Sequence, residues 1–244
     1  MSPATMQTST LSVSLPPHTN KQEAALAGAG SADGVAAAIG AANTLIRQAD
    51  GGLKAYNTDW AAAIGAIEAG LNPAAAAAAA AGAAPSPLSG KTVVVLGAGG
   101  AGRALAFGAA VKGAKVVIAN RSVERAAALA AQLDPPATAC SLADVESGAV
   151  AGDVLANTTS VGMHPLEGET PLAAAALPGF SLVFDAVYTP LRTRLLREAA
   201  AAGCAVVTGE KMFVGQAAAQ FRLFTGAEPP VELMTQVVLD SLKV

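Results

Sequence analysis

Short aliphatic runs recur along the chain between alanine-rich stretches with scattered charges, and glycine, asparagine or aspartate mark where one gives way to the next. In the second half, Thr92–Leu96, Lys115–Ala119, Val154–Ala156, Leu182–Ala186 and Ala205–Val207 read as strands, with helical patterns between them. Strands alternating with helices predict an α/β fold with a parallel sheet. In the first half, a strand at Leu11–Leu15, a helical stretch from Lys21 and a strand around Ala42–Arg47 lead to the turn Asp50-Gly51-Gly52. Leu53–Tyr56 then reads as a hairpin partner, and a helix is predicted from Thr58 or Asp59 to Ala69 with Asp59 in its first turn.

Between these halves lies Asn72–Gly90, where eight alanines, Ala74–Ala81, are flanked by proline and glycine. This is the pattern of a low-complexity connection. Alanine favours helix but offers no packing face, so at most a marginal helical turn is expected there.

One segment carries chemistry. Thr92–Leu96 runs into Gly97-Ala98-Gly99-Gly100-Ala101-Gly102, and a helical stretch, Arg103–Val111, follows. In a strand–turn–helix unit the first glycine makes the tight turn, the second lets backbone approach a pyrophosphate, and the third lets helix and strand pack closely. The helix N-terminus then offers free N–H groups to phosphate. Gly97, Gly99, Gly100, Ala101 and Gly102 are therefore expected to bind a dinucleotide in a Rossmann-type domain. After the next strand, where a carboxylate would select a ribose 2′-hydroxyl, the chain has Asn120-Arg121-Ser122 with Arg125 beyond. A guanidinium pair there fits a 2′-phosphate, so the expected cofactor is NADP(H). The alternative is a solvated pair of arginines in a helix capped by Ser122, although arginine in a first turn opposes the helix dipole.

Composition narrows the classes. At 244 residues, with 52% hydrophobic and 14% charged residues, the chain can bury a sizeable core, and its net charge of −3 gives no basic footprint for nucleic acid or anionic membrane. Two cysteines, Cys140 and Cys204, lie far apart, and His18 and His164 are isolated. Neither a disulfide framework nor a metal site is expected. No aliphatic run reaches spanning length, and Met1–Thr10 reads as neither signal nor transit peptide.

Further motifs surround the glycine loop: Ile39-Gly40-Ala41-Ala42-Asn43-Thr44-Leu45-Ile46-Arg47, Tyr56-Asn57-Thr58-Asp59, Ala156-Asn157-Thr158-Thr159-Ser160-Val161-Gly162-Met163, Val183-Phe184-Asp185-Ala186-Val187-Tyr188-Thr189-Pro190 and Met212-Phe213-Val214-Gly215-Gln216. In this order they resemble the shikimate dehydrogenase family, most of all the dehydrogenase part of the plant bifunctional 3-dehydroquinate dehydratase/shikimate dehydrogenase. The resemblance implies reversible, NADP-dependent reduction of 3-dehydroshikimate to shikimate. It divides the chain into a partial α/β substrate-binding domain at 1–72, a linker at 73–90, a Rossmann NADP-binding domain at 91–215 and C-terminal helices at 216–244 that pack back toward the substrate domain.

In such enzymes a lysine and an aspartate handle the proton. Asp59 matches the aspartate, where a helix start would keep it ionised and let it orient an ammonium. Lys21 is the candidate lysine, although extra residues separate it from Pro16, Pro17 and His18, and a register shift would turn it to solvent. The resemblance implies substrate contacts from Asn43, Thr44, Asn57, Tyr188 and Gln216. It places Asn120, Arg121, Ser122, Arg125, Asn157, Thr158, Ser160, Gly209 and Met212 beside the cofactor. Ala55 and Ala62 stand where the family usually has glycine, so added methyls are expected to crowd the cleft. The family's opening strand–helix unit, with its paired serines, is not seen, which suggests a fragment or an incomplete chain. Other readings are a quinate/shikimate dehydrogenase, which the arginines disfavour if NAD is its cofactor, and a fragment that holds NADPH without turnover. The resemblance also implies a fused or associated dehydratase, and a plastid stroma in the green lineage or a cytoplasmic setting otherwise.

Overall fold

A computed structural model describes residues 13–14 and 21–242. Its larger sheet has six parallel strands, β5 (Thr92–Leu96), β6 (Lys115–Ala119), β7 (Thr138–Cys140), β8 (Val154–Asn157), β9 (Leu182–Asp185) and β10 (Ala205–Val207), in the order β10-β9-β8-β5-β6-β7. Order reverses at β5, with β6 on one side and β8 on the other. In open parallel sheets ligands bind beyond the strand ends at such a switch point. The aliphatic runs are inaccessible on both sides, Val93 to Leu96 completely so, because helices cover both faces. Sequence reading had not resolved β7.

The smaller sheet has the order β1-β3-β4-β2, from β1 (Val13–Ser14), β2 (Ser31–Ala32), β3 (Thr44–Arg47) and β4 (Leu53–Tyr56). The expected hairpin is present, with Thr44 opposite Tyr56 and Arg47 opposite Leu53. Of the strand expected at Leu11–Leu15, only Val13–Ser14 lies among the described residues, paired antiparallel with β3. Two short helices accompany this sheet, α1 (Lys21–Gly28) and α2 (Gly34–Ile39).

The helix that joins the sheets is α3 (Asp59–Leu71). Its apolar residues Ala63, Ile64, Ala66 and Ile67 belong to the same core cluster as Val93, Val95 and Phe184 of the large sheet. Glycines allow the close approach. A Cβ at Gly70 would fall 2.3 Å from Cγ2 of Val207, and one at Gly108 would fall 2.5 Å from Cγ1 of Ile64. A division at residue 72 therefore does not separate two cores: α3 packs with the large sheet.

The connection also differs from expectation. The alanine run forms a helix, α4 (Pro73–Ala80), in which no residue is buried. Asn72 starts it by accepting a hydrogen bond from the Ala75 N–H at 3.1 Å, with Pro73 at the first helical position. Capping and a preset proline φ supply what the alanines lack in packing.

The remaining helices are α5 (Gly100–Val111), α6 (Val123–Ala130), α7 (Leu142–Glu146), α8 (Arg194–Ala201), α9 (Gly209–Thr225) and α10 (Val231–Ser241), with a 3-10 turn at Ala174–Gly179. α9 is continuous across residues 215 and 216, so the boundary expected there falls inside one helix. Gln220 of α9 donates to the Thr44 hydroxyl at 3.0 Å and ties this helix to the small sheet. Among the described residues, no helix is long and apolar enough to cross a membrane, and no cluster of His, Cys, Asp or Glu could hold a metal. Both cysteines are buried and free.

Candidate active site

β5 ends at Leu96, and the chain turns at Gly97 with φ of +105°, a region that favours glycine. A Cβ at Gly97 would lie 2.9 Å from the Thr158 hydroxyl, and one at Gly102 would lie 2.3 Å from the Gly97 carbonyl oxygen. Gly99 is different, since a Cβ there would enter open space. Gly99 caps α5 with no side-chain hydrogen bond, so the first turn of a 12-residue helix keeps its N–H groups free for an anion. Closed packing at Gly97 and Gly102 and an open face at Gly99 fit the pyrophosphate of a dinucleotide.

Beyond β6, Asn120 Nδ2 donates to the Ser122 carbonyl at 3.0 Å and the Ser122 hydroxyl caps α6, accepting from the Arg125 N–H at 3.3 Å. Arg121 and Arg125 are both exposed beside this turn. At the end of β8, Asn157 and Thr158 spend their side chains inside the protein. Asn157 Nδ2 donates to Asp185 at 2.9 Å, and the Thr158 hydroxyl donates to the Leu96 carbonyl at 2.7 Å. They hold the strand ends in place, while Ser160 is exposed. Asp185 also accepts from Thr193 at 2.6 Å, and burial pushes its carboxyl up to about 6.

α9 packs against α3. A Cβ at Gly209 would come within 2.5 Å of the Val187 carbonyl oxygen, so only glycine lets the helix start against β9. Tyr188 stacks on Phe213 at 4.4 Å between ring centroids, and Gln216 is buried, donating to the Phe213 carbonyl at 3.0 Å. Met212, expected at the cofactor, is buried in the main apolar core. Apolar burial there follows from α9 packing on the sheet.

At the start of α3, Asp59 sits in a net of amides and hydroxyls. Its carboxylate accepts from Asn43 Nδ2 at 2.8 Å and from Gln22 Nε2 at 2.9 Å. Asn43 also donates to the Thr58 hydroxyl at 2.9 Å and accepts from the Thr58 N–H at 2.9 Å and the Thr44 hydroxyl at 2.8 Å. Asn57 donates to the Ala41 carbonyl at 3.0 Å and accepts from the Asp59 N–H at 3.0 Å. The expected group is therefore assembled, with Asn43, Thr44 and Asn57 around Asp59. Its electrostatics differ from expectation. Burial outweighs the hydrogen bonds from Gln22 and Asn43 and pushes the Asp59 carboxyl up to about 6.

Lys21 is not brought to Asp59. It opens α1 with its side chain exposed, and the neighbouring Gln22, completely buried, makes the contact. One residue along a helix rotates the side chain by about 100°, enough to exchange solvent for the crevice. The two alanines expected to crowd the cleft have different surroundings. Ala55 is buried within β4, and Ala62 faces α9, where a Cβ on Gly215 would meet its methyl at 3.0 Å. Gln22 and Gln220 were not singled out from sequence, because a polar helical residue becomes buried only through tertiary neighbours.

Residues 79–172 match the family model described as shikimate / quinate 5-dehydrogenase, and residues 209–239 match the shikimate 5'-dehydrogenase C-terminal domain. The shikimate dehydrogenase (NADP(+)) of Methanosarcina barkeri is 42% identical over 217 residues, covering 87% of this chain and 72% of that protein. The chain belongs to the shikimate dehydrogenase family. The bifunctional, chloroplastic 3-dehydroquinate dehydratase/shikimate dehydrogenase of Arabidopsis thaliana is 51% identical over 219 residues, 89% of this chain. The chain spans 36% of that plant protein's length. A shikimate dehydrogenase from Thermus thermophilus, solved with NADP(H) and shikimate, superposes with a TM-score of 0.75 at 37% identity, covering 95% of this chain and 79% of that one. Within the shikimate dehydrogenase family, the six-stranded sheet and the glycine loop at its switch point form the Rossmann-type unit.

Proposed function

We propose that this chain catalyses the reversible, NADP(H)-dependent reduction of 3-dehydroshikimate to shikimate. The observation that carries the reading is the position of Gln22, whose side chain touches both the Asp59 carboxylate and the first turn of α5, so the Asp59 cluster and the glycine loop border one crevice. When bound, NADPH would supply the hydride. The N–H groups of Gly99, Gly100 and Ala101 hold its pyrophosphate, with Gly97 and Gly102 shaping the turn. Asn120, Arg121, Ser122 and Arg125 take the 2′-phosphate end, where paired guanidinium bonds favour NADP over NAD. Asn157, Thr158, Ser160 and Gly209 shape the strand ends along the cofactor.

Asn43, Thr44, Asn57, Tyr188 and Gln216 orient the hydroxylated ring, a task suited to amides, which both donate and accept. Asp59 holds a proton beside the reacting oxygen, since a carboxyl with a midpoint of about 6 exchanges it near neutral pH. Kinship with the chloroplastic plant protein supports a plastid setting, and a dehydratase as fused or associated partner.

A fluorescence titration with NADPH, followed by an assay of shikimate-dependent NADP+ reduction, tests the proposal. Binding with turnover is expected, and tight binding without any turnover would sink the enzyme reading. The second reading, a protein that holds NADPH without turnover, is favoured by one observation: Asp59 meets amides where an ammonium was expected.

A further inference from the structure

Gln22 is a polar side chain with no access to solvent, and its two ends have different fates. Nε2 donates to Asp59 at 2.9 Å, whereas Oε1 has no partner among the described residues. A Cβ on Gly100 would fall 2.1 Å from that Oε1, so the carboxamide is pressed against the glycine loop. The placement is anchored on both sides. The Gln22 carbonyl accepts from the Ala42 N–H at 3.0 Å, and the neighbouring Glu23 pairs with Arg103 of α5 at 3.1 Å.

Resting on the dehydrogenase reading, we infer that residue 22 occupies the proton-transfer position of this crevice, and that glutamine there leaves the chain binding its ligands while the chemical step is slow, so that Gln22→Lys accelerates it. Reduction of a carbonyl forms a C–H bond with the electron pair of the reduced nicotinamide, which is thereby oxidised. The π pair moves to oxygen, and an O–H bond forms with a proton from a group within about 3 Å. Residue 22 lies between the carboxylate and the loop that would carry the hydride donor, the place from which such a proton is delivered. A carboxamide neither releases nor takes up a proton near neutral pH. Asn43 and Thr58 are equally inert, which leaves Asp59 as the titrating group of this cluster. Other charged groups are placed elsewhere: Lys21 faces solvent, Glu23 and Arg103 pair with each other, and Lys211 of α9 is exposed. An ammonium at position 22 would hydrogen-bond Asp59, break one N–H bond to protonate the oxygen, and regain its proton from solvent.

The full chain is compared with its Gln22→Lys and Lys21→Met variants for NADPH affinity, for kcat in shikimate-dependent NADP+ reduction, and for the Asp59 carboxyl titration followed by carbon-13 NMR. Wild type and Lys21→Met are expected to bind NADPH equally and to share one slow kcat, with Asp59 titrating at about 6. Gln22→Lys is expected to raise kcat by about a hundredfold with affinity nearly unchanged, and to move the Asp59 midpoint downward. Lys21→Met decides the matter even if the other variant does not fold, because a tenfold loss of kcat there would assign the proton to Lys21 and overturn the inference. A Gln22→Lys protein that binds NADPH with unchanged kcat, or an unmoved Asp59 titration, overturns it as well. Absence of NADPH binding in all three would instead remove the dehydrogenase reading, while the Asp59 titration still reports what residue 22 faces.

Discussion

The glycine loop and the Asp59 cluster, both in contact with Gln22, are built on opposite terms. At the loop the protein withholds partners: the first turn of α5 has no side-chain cap, and Gly99 faces open space. At Asp59 it supplies them in excess, with Asn43, Gln22, Thr58, Thr44 and Asn57 bonded into one net. The first arrangement suits a ligand that brings its own charge, because free N–H groups cost little while water reaches them. The second suits chemistry, because a carboxyl kept from water has its proton affinity set by its neighbours. Binding and proton handling are thus separable by mutation.

Asp59→Asn should break the contrast most strongly. Turnover is expected to fall by about 10²- to 10⁴-fold with NADPH affinity intact, measured by steady-state kinetics and fluorescence titration. The fold should survive, because Gln22 can turn its carboxamide and offer the spare Oε1 to the new amide. Stability should show the same change with the pH dependence that linkage requires. The carboxyl is raised from 3.8 to about 6 in the folded state, so its contribution is fully present below the lower value and is lost as pH rises through the upper one. Urea melts at pH 8 should therefore find Asp59→Asn no less stable than wild type, with up to about 3 kcal/mol relieved. Asp185, pushed up in the same way, keeps part of the alkaline sensitivity in the variant.

The loop gives the next largest effects, and two glycines should separate folding from binding. Gly102→Ala forces a methyl onto the Gly97 carbonyl oxygen and should cost about 1–3 kcal/mol in thermal or urea unfolding, together with NADPH binding. Gly99→Ala meets open space, so stability should stay within about 0.5 kcal/mol while NADPH affinity drops by about tenfold or more. Smaller again, Arg121→Ala should reduce the preference for NADP over NAD by about tenfold in paired titrations, with NAD affinity unchanged. Asn72→Ala should be smallest. It uncaps a helix with no buried residue, and circular dichroism should register a loss below about 1 kcal/mol with no effect on either ligand.

Much of the cofactor half is legible in sequence because its determinants are local. A β-branched run, three glycines at fixed spacing and a helix can be recognised within a dozen residues, and the structure adds which faces are closed. Asp59, Asn43 and Asn57 are legible only through a family motif, and the bonds from Asn43 to Asp59 and from Asn57 to Ala41, each spanning 16 residues, come from the pairing of β3 and β4. Lys21 shows where such reading stops. Its chemistry suits a proton carrier, yet the side that α1 turns inward is decided by contacts with Ala42, Asp59 and Arg103. The alanine run departs from expectation for the opposite reason, since a cap and a proline suffice to start a helix in which no residue is buried.

α3 has a mechanical consequence. The helix that carries Asp59 is wedged into the large sheet through Ile64 at Gly108 and through Gly70 at Val207, while the amides that grip the carboxylate ride on α1 and the small sheet. The span from carboxylate to glycine loop is therefore set by the packing of α3 on the large sheet. Donors carried by α1 and the small sheet thus reach a carboxylate whose place is fixed by the large sheet. The affinity of Asp59 for a proton therefore depends on how closely elements from outside the large sheet cover it, since burial and the bonds from Gln22 and Asn43 set it.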